Sequence, residues 1–569
     1  MPKENQTENV VRISHSLNES EKDHVGSRRE SVLQCLLQHN MHCKLEEVPN
    51  IALLGSGGGE RAMMGLMGSL VQLYKEGLLD CMLYLGGVSG STWCMASLYK
   101  EPDWSCRLEE VKNDIIQRLT GGGVSWMDKL SKLIKYYQKD NFSLTDVWAA
   151  LVISEIVKEI DERPLSHQRS QHGKDPYPIY NVIDKWSNRA KMEADVFFEI
   201  TPHEVGYSIT GAFVDSSCFG CQFDEGVTIK NQLEMETLYL QGLCGSVFAD
   251  GEKILKELLK IIKKLFWLES DAMCNQASSG NQSDIHSLSP SHVKQVFQVT
   301  STLVKLNLMI FRDEDPSSHI EILNELLKGK LNKEETETEI TLQMMSEEIV
   351  RKGIQEKTLY VCEQYSDLLQ KHLNYKGVWM AVIKSIELVT CWIWGTTYNF
   401  LYNMTAHEVS PHILKEKTRH YEDAGIFINS PYFSVLRKER HIDLIISLDF
   451  SDDDDPFETV VQTADTCKKL LIPFPDVQVS DEDKRSPRDF YVFESPNSPT
   501  VIHIPLFNII NCAGEFTKWK KRYKTFQLPY SDEMIHDLLE KAEMNIKNNK
   551  VNLLREIQKI INRKSTNLG

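Results

Sequence analysis

Ile51-Ala52-Leu53-Leu54-Gly55-Ser56-Gly57-Gly58-Gly59 and, further on, Met82-Leu83-Tyr84-Leu85-Gly86-Gly87-Val88-Ser89-Gly90-Ser91 are the two stretches that decide the fold. Each is an apolar run of strand length that stops at glycine. Between them Ala62, Leu66, Leu70 and Leu73 recur at helical spacing, and Gly77 stands where it can cap that helix. Strand, glycine turn, helix, strand is one βαβ unit, so the reading is an α/β fold with neighbouring parallel strands.

Both glycine turns carry chemistry. Gly87-Val88-Ser89-Gly90-Ser91 is a variant of the G-x-S-x-G elbow in which serine replaces the last glycine. It follows a buried strand, and Ser91 to Leu98 can begin a helix, which is the context the motif requires. A strained turn there pushes the serine oxygen out of the sheet as a nucleophile. The first turn, Gly55 to Gly59, fits neither phosphate-binding pattern. A dinucleotide fingerprint needs glycine where Glu60 stands, and a P-loop needs Gly-Lys-Ser/Thr where the chain has Glu60-Arg61-Ala62. What remains is a nest of backbone N–H groups opening a helix, suited to a developing oxyanion. Ser89 comes 31 residues after Gly58, a single βαβ step. Oxyanion loop and nucleophile are then expected at the C-terminal ends of adjacent strands. Arg61, a cation at the dipole-unfavourable end of its helix, reads either as a salt-bridge residue or as a binder of substrate phosphate.

Around this unit, residues 1–16 read as a disordered lead and Val32, Leu33, Leu36 and Leu37 as part of a helix. The Ser/Asn/Gln-rich stretch from Ser270 and the charge run Lys328–Glu339 mark 270–347 as a partly disordered insertion or lid. It separates catalytic segments 17–269 and 348–530. His441–Phe450 and Thr500–Pro505 are strand-like. Residues 531–569 form an amphipathic, locally basic helix, which packs on the core or lies on a membrane surface.

The composition excludes several classes. The 569 residues are 41% hydrophobic and 25% charged, with no run of 18 apolar residues and no apolar leader, so neither a membrane span nor secretion is expected. A formal net charge of −17 argues against nucleic acid. Thirteen scattered cysteines read as free thiols in a reducing, cytoplasmic compartment, and the lone Cys218–Cys221 pair as structural rather than metal-binding. Asp452–Asp455 lacks the alternating spacing of a calcium loop and reads as a solvated turn. His203 and His503 read as structural.

Five ordered motifs resemble the group IV cytosolic phospholipase A2 family, and among its members the short gamma type. They are Gly55 to Ala62, Gly87 to Trp93, Trp394-Gly395-Thr396-Thr397-Tyr398-Asn399-Phe400, Tyr421-Glu422-Asp423-Ala424-Gly425 and Asp455-Pro456-Phe457-Glu458-Thr459. The resemblance runs from about Leu17 to Tyr530 and lapses over Ser270–Glu347. It implies a patatin-like three-layer α/β catalytic domain with a mostly parallel central sheet and an inserted cap or lid. It also implies a Ser–Asp dyad of Ser89 and Asp423, oxyanion donors at Gly58 and Gly59, and phosphate contact through Arg61. Phospholipids and lysophospholipids are the implied substrates, at a peripheral membrane surface of the endoplasmic reticulum or nuclear envelope, with no cofactor. Only 54 residues precede Gly55, against the roughly 100 a calcium-binding C2 domain needs, so calcium independence is expected. The chain departs from the family at Glu60, where an apolar residue is usual. A carboxylate there sits beside the oxyanion donors, with consequences for acylation or head-group choice. Two other readings stay open at this stage: an α/β-hydrolase esterase with a Ser–His–Asp triad, and a lipid-binding scaffold without turnover.

Overall fold

The computed structural model describes residues 11–169, 172–189, 191, 193–246, 251–278, 290–328, 347–373, 375–525 and 529–568. The chain divides into two compact units. One comprises Met1–Gly122, Ile156–Phe248 and Thr396–Gly569; the other comprises Gly123–Glu155 and Ala249–Gly395.

The first unit is built on a twelve-stranded mixed sheet. In chain order its strands are β1 (Val11–Ile13), β2 (Ile51–Gly55), β3 (Tyr84–Gly87), β4 (Tyr177–Asp184), β5 (Phe197–Ile200), β6 (Glu204–Tyr207) and β7 (Ala212–Asp215). After a separate hairpin of β8 (Gln222–Asp224) and β9 (Val227–Lys230) come β10 (Thr396–Tyr398), β11 (Thr418–Asp423), β12 (Leu444–Asp449), β13 (Tyr491–Phe493) and β14 (Thr500–Pro505). The spatial order is β1-β7-β6-β5-β4-β3-β2-β12-β14-β13, with β11 also on β4 and β10 on β11. The centre, β4-β3-β2-β12-β14, is parallel, and both flanks are antiparallel. Strands buried on both faces need continuous apolar runs, and Ile51-Ala52-Leu53-Leu54 and Leu444-Ile445-Ile446 supply them with no exposed residue. From β2 the chain steps to β3 on one side and later places β12 on the other. The loop after β2 therefore opens at the switch point where α/β sheets hold ligands.

Helix α1 (Glu19–Gln38) starts earlier than its apolar pattern suggests, because the Asn18 side chain caps it by accepting from the Ser20 N–H. Helices α2 (Glu60–Lys75) and α3 (Gly90–Leu98) follow the two glycine turns. Gly77, with φ of 68°, ends α2 as expected. Residues 11–13, read as part of an unstructured lead, instead pair antiparallel with β7 as β1. There Arg12 binds the buried Glu204 carboxylate through both oxygens, at 2.8 and 2.7 Å. Residues 1–10 lie outside those described.

The tail forms two helices broken at Asn549, Asp532–Asn548 and Lys550–Leu568. The first packs on α2 rather than standing free. The approach is so close that a Cβ on Gly68 would lie 2.6 Å from the Leu539 carbonyl oxygen.

Beneath the sheet, buried Glu199 sits between Arg437 and Arg440, and Arg440 also grips Glu21 through two hydrogen bonds of 2.8 and 3.0 Å. Burial alone would raise the Glu199 carboxyl, but the two guanidinium groups outweigh it and hold it at about 2.

The second unit is helical, with Gly251–Ser278, Pro290–Phe311, Ser317–Leu327, Glu347–His372 and Lys376–Cys391 among its helices. Asn307 and Thr358 hydrogen-bond inside it at 3.3 Å. The expected insertion at 270–347 falls partly on residues outside those described. Among the described residues no helix is long and apolar enough to cross a membrane.

Candidate active site

Register on β4 brings the strand ends that carry Ser89 and Asp423 to face each other. Along one edge of β4, β3 runs parallel as far as the pair Gly87 and Tyr180. Along the same edge β11 runs antiparallel from the other direction, and its last pair is Asp423 with Val182. The opposite edge is occupied by β5 through Tyr180–Ile183. The ends of β3 and β11 therefore face each other across Asn181, whose amide donates to the Gly87 carbonyl at 3.3 Å. Ser89 and Asp423 emerge from these two ends. Their immediate neighbours Val88 and Ala424 pack in one cluster with Ile183 and Val196. The Cys244 thiol is pushed up first by burial and then by the Asp423 carboxylate, and it also lies against Thr92 in the first turn of α3. In this conformation Ser89 Oγ has no hydrogen-bond partner among the described residues.

Each participant is held by local structure. Ser89 adopts φ 52° and ψ −123° at the start of α3, a strained elbow that costs on the order of 1–3 kcal/mol and aims the hydroxyl away from the sheet. Asp423 is fully buried. Its Oδ1 accepts the Gly425 N–H at 2.8 Å, and its own N–H donates to Ser246 Oγ at 2.9 Å. Arg419, two turns of the pleat upstream, clamps β11 onto β4 through a two-pronged bond to buried Asp184 at 2.8 and 2.6 Å. Tyr207 donates to the same carboxylate at 2.8 Å.

The first glycine turn is wedged against the elbow. A Cβ on Gly90 would lie 1.9 Å from the Gly59 carbonyl oxygen, and one on Gly57 2.9 Å from Ser89 Cβ. Gly59 opens α2 with φ 61° and ψ −139°, a conformation that glycine adopts without the strain Ser89 carries in a similar one. Gly58 is excluded from carrying a side chain by the Phe450 carbonyl, 2.5 Å from where its Cβ would be. Among the described residues the Gly58 and Gly59 amides donate to no acceptor. Two undonated amides at a helix N-terminus beside a serine hydroxyl have the geometry that suits an anion. Ser91 Oγ locks the turns together by donating to the Ser56 carbonyl at 2.6 Å.

Arg61 is fully buried and its donors are taken by the protein. Nε donates to the Phe450 carbonyl at 2.6 Å and Nη1 to the Tyr523 carbonyl at 2.6 Å. Nη2 donates to Thr525 Oγ1 at 2.8 Å and lies 3.4 Å from Asp452 Oδ1. Its observed work is to fasten the start of α2 to the loops after β12 and around residue 523. Asp452 is correspondingly more than part of a solvated turn. Burial pushes its carboxyl up, but Arg61 and Thr525 outweigh that and hold it below its usual value.

Glu60 is buried and turned toward the C-terminal region, where its Oε2 accepts the Tyr530 N–H at 2.9 Å. Burial lifts it to about 7 against the opposing pull of that hydrogen bond and of Lys158. His203 hydrogen-bonds Tyr177 and His503 the Pro456 carbonyl, each at 2.9 Å, so both have partners away from Ser89.

Asn429 was not singled out in the sequence. Its Oδ1 accepts the Gly57 N–H at 3.1 Å, its backbone carbonyl accepts the same N–H at 3.2 Å, and its Nδ2 donates to the Gly57 carbonyl at 3.4 Å. The same Oδ1 is 3.0 Å from where a Gly425 Cβ would be. One side chain thus bridges the oxyanion turn and the Asp423 turn.

Comparison with known proteins agrees with this layout. The family described as "Lysophospholipase catalytic domain" matches residues 51–311. Cytosolic phospholipase A2 gamma of Mus musculus is 33% identical, with 96% of this chain and 91% of that protein covered. The Homo sapiens protein of the same name is 32% identical over 97% and 96% respectively. The solved structure of human GIVD cytosolic phospholipase A2 superposes with a TM-score of 0.65 at 22% identity, covering 98% of this chain and 69% of that one, which establishes the shared fold. With such relatives along nearly its entire length, and with the glycine turns, elbow and acidic turn in register on one sheet, the chain belongs to the cytosolic phospholipase A2 family of lipid-acyl hydrolases and is similar to its gamma members.

Proposed function

We propose that the protein is a calcium-independent phospholipase A2 acting through a Ser89–Asp423 dyad. The observation that carries this reading is the shared edge of β4, which brings the ends of β3 and β11 face to face at the level of Val182. Asp423, desolvated and fixed by Ser246 and Gly425, takes the proton of Ser89 Oγ as that oxygen attacks an acyl ester carbonyl. The tetrahedral oxyanion is held by the Gly58 and Gly59 amides, where one such donor contributes roughly 3–4 kcal/mol. The protonated Asp423 returns the proton to the departing lysophospholipid oxygen, leaving an acyl-enzyme. Water activated by the same carboxylate then releases the fatty acid. A second lipid alcohol in place of water gives transacylation, and a lysophospholipid in place of the diacyl substrate gives lysophospholipase turnover.

Arg61 enters as a positioning residue for the oxyanion turn. Direct contact with substrate phosphate requires it to give up Asp452 or one of its three neutral acceptors. No step needs a metal ion or cofactor. The setting is the cytoplasm, with substrate met at the surface of an intracellular membrane.

A fluorophosphonate probe tests the nucleophile: it is expected to label the protein and not Ser89→Ala. Failure to label the wild type favours a lipid-binding scaffold. Product analysis with doubly labelled phosphatidylcholine tests the base. Asp423→Ala is expected to abolish release of both labels, whereas retained activity that is lost on replacing one histidine favours a triad esterase.

A further inference from the structure

At the opposite end of the parallel strands from the glycine turns lies a cavity of about 910 Å³ that the proposed reaction does not use. Its walls come from the segments just before β12 and β14, residues 435–443 and 497–499, together with 471–473 and the last helix. It therefore sits at the N-terminal ends of the parallel strands, whereas Gly58 and Ser89 follow the C-terminal ends, roughly 17 Å of strand away.

Two chemistries meet in it. Ile209, Leu436 and Ile472 form an apolar wall that packs on the buried cluster around Phe433. Four cationic side chains, Arg437, Lys438, Arg563 and Lys564, stand beside two carboxylates, Glu439 and Asp443. Lys564 neutralises Asp443 at 2.7 Å, Glu199 engages Arg437 at 2.6 Å, and Arg563 reaches Glu494 and Thr500 only at 3.4 Å each, contacts long enough to be exchanged for a ligand carboxylate. Lys438 is exposed and has no acceptor among the described residues, and buried Arg437 leaves its Nε without one.

Leu471 supplies an independent observation. It terminates the helix Glu458–Leu470 in the left-handed conformation, φ 57°, where glycine is usual, and it is 89% exposed at the rim of the cavity. A large apolar side chain that is both strained and bare contributes nothing to the fold. Its place on the rim, continuous with the wall of Leu436 and Ile472, is what lets it extend that wall for an apolar ligand chain.

We propose that this cavity binds one long-chain fatty acid, its carboxylate held by Lys438 and Arg563 and its chain laid along Leu436, Ile472 and Leu471. The volume lies within the roughly 300–1,000 Å³ of single small-ligand sites, and a concave pocket fits a monomeric lipid rather than a bilayer face. The assignment rests on the pocket alone. If the dyad reading also holds, the ligand is of the class the enzyme releases.

The test is photocrosslinking of full-length Ser89→Ala protein with a diazirine-bearing palmitate, followed by peptide mapping. Label is expected on residues 433–443 or 471–473, displaced by oleate and not by oleyl alcohol. Lys438→Glu is expected to lower that label at least fivefold with the urea midpoint unchanged. Leu471→Gly is expected to lower it about threefold while leaving the fold as stable or more so, an outcome no purely structural role for Leu471 produces. Label confined to peptides around residue 89, no label at all, equal displacement by oleyl alcohol, or label unaffected by Lys438→Glu overturns the proposal. So does stronger displacement by lysophosphatidate than by oleate.

Discussion

Replacing Glu60 by glutamine isolates the effect of a buried carboxyl at the mouth of the oxyanion helix. Glutamine keeps an oxygen to accept the Tyr530 N–H and removes only the charge. Burial moves the Glu60 carboxyl from 4.5 to about 7. A folded-state value above the unfolded one means that its stabilising contribution is complete below about 4.5 and is lost as pH rises through about 7. Two and a half units at 1.36 kcal/mol each amount to about 3 kcal/mol of stability lost by the wild type at alkaline pH. The glutamine variant lacks this loss. Urea unfolding of both proteins at pH 5.5 and 8.5 reads it directly. The wild type is expected to lose roughly 2–3 kcal/mol more than Glu60→Gln between the two, so that the variant is the more stable protein at pH 8.5. On the proposed mechanism the charge also bears on turnover, since an ionised Glu60 at the start of α2 opposes an oxyanion held by Gly58 and Gly59 even with its carboxylate turned toward Tyr530. The ratio of variant to wild-type kcat is expected to climb through pH 7. Parallel stability curves, or a variant less stable at pH 8.5, refute the reasoning.

Gly90→Ala drives a methyl group into the main chain of Gly59, which has no room to yield. A destabilisation of about 1–3 kcal/mol and a fluorophosphonate labelling rate reduced at least a hundredfold are expected. Asn429→Ala removes the side chain shared by the oxyanion and Asp423 turns. The expected outcome is a kcat about 10–100-fold lower with KM within about threefold, corresponding to roughly 1–3 kcal/mol for an orphaned amide. Arg61→Met strips four acceptors of their donor, and a loss of about 3–5 kcal/mol in chemical unfolding is expected. Arg61→Lys recovers less than half of it, because an ammonium cannot reproduce the planar fork.

What the sequence showed and what it hid divides by range. The βαβ unit, the elbow at Ser89 and the first glycine turn were legible because strand, turn and helix signals are contiguous, and β2 and β3 are indeed parallel neighbours. Asp423 was legible only through family resemblance, since nothing local distinguishes it from the other acidic residues. Asn429 carried no signal at all. Its role comes from meeting Gly57, 372 positions earlier in the chain. Arg61 looked free to bind phosphate because two of its acceptors are backbone carbonyls, of Phe450 and Tyr523, and carbonyls leave no trace in side-chain identity. The strand at Val11–Ile13 was missed for a related reason. Three residues carry too little alternation to stand out, and β7 supplies the pairing that makes them a strand.

The divided edge of β4 has a consequence for how such a protein can vary. Because β3 and β11 approach from opposite directions along one template, the spacing of Ser89 and Asp423 is written in hydrogen-bond registry, not in chain length. A slip of one residue in β11 would turn Asp423 to the far face of the sheet. Between Phe248 and Thr396 the chain leaves this unit and comes back. The Arg419–Asp184 clamp re-establishes alignment on its return. Insertions and deletions in that excursion are therefore free to accumulate, while the six residues of β11 are not.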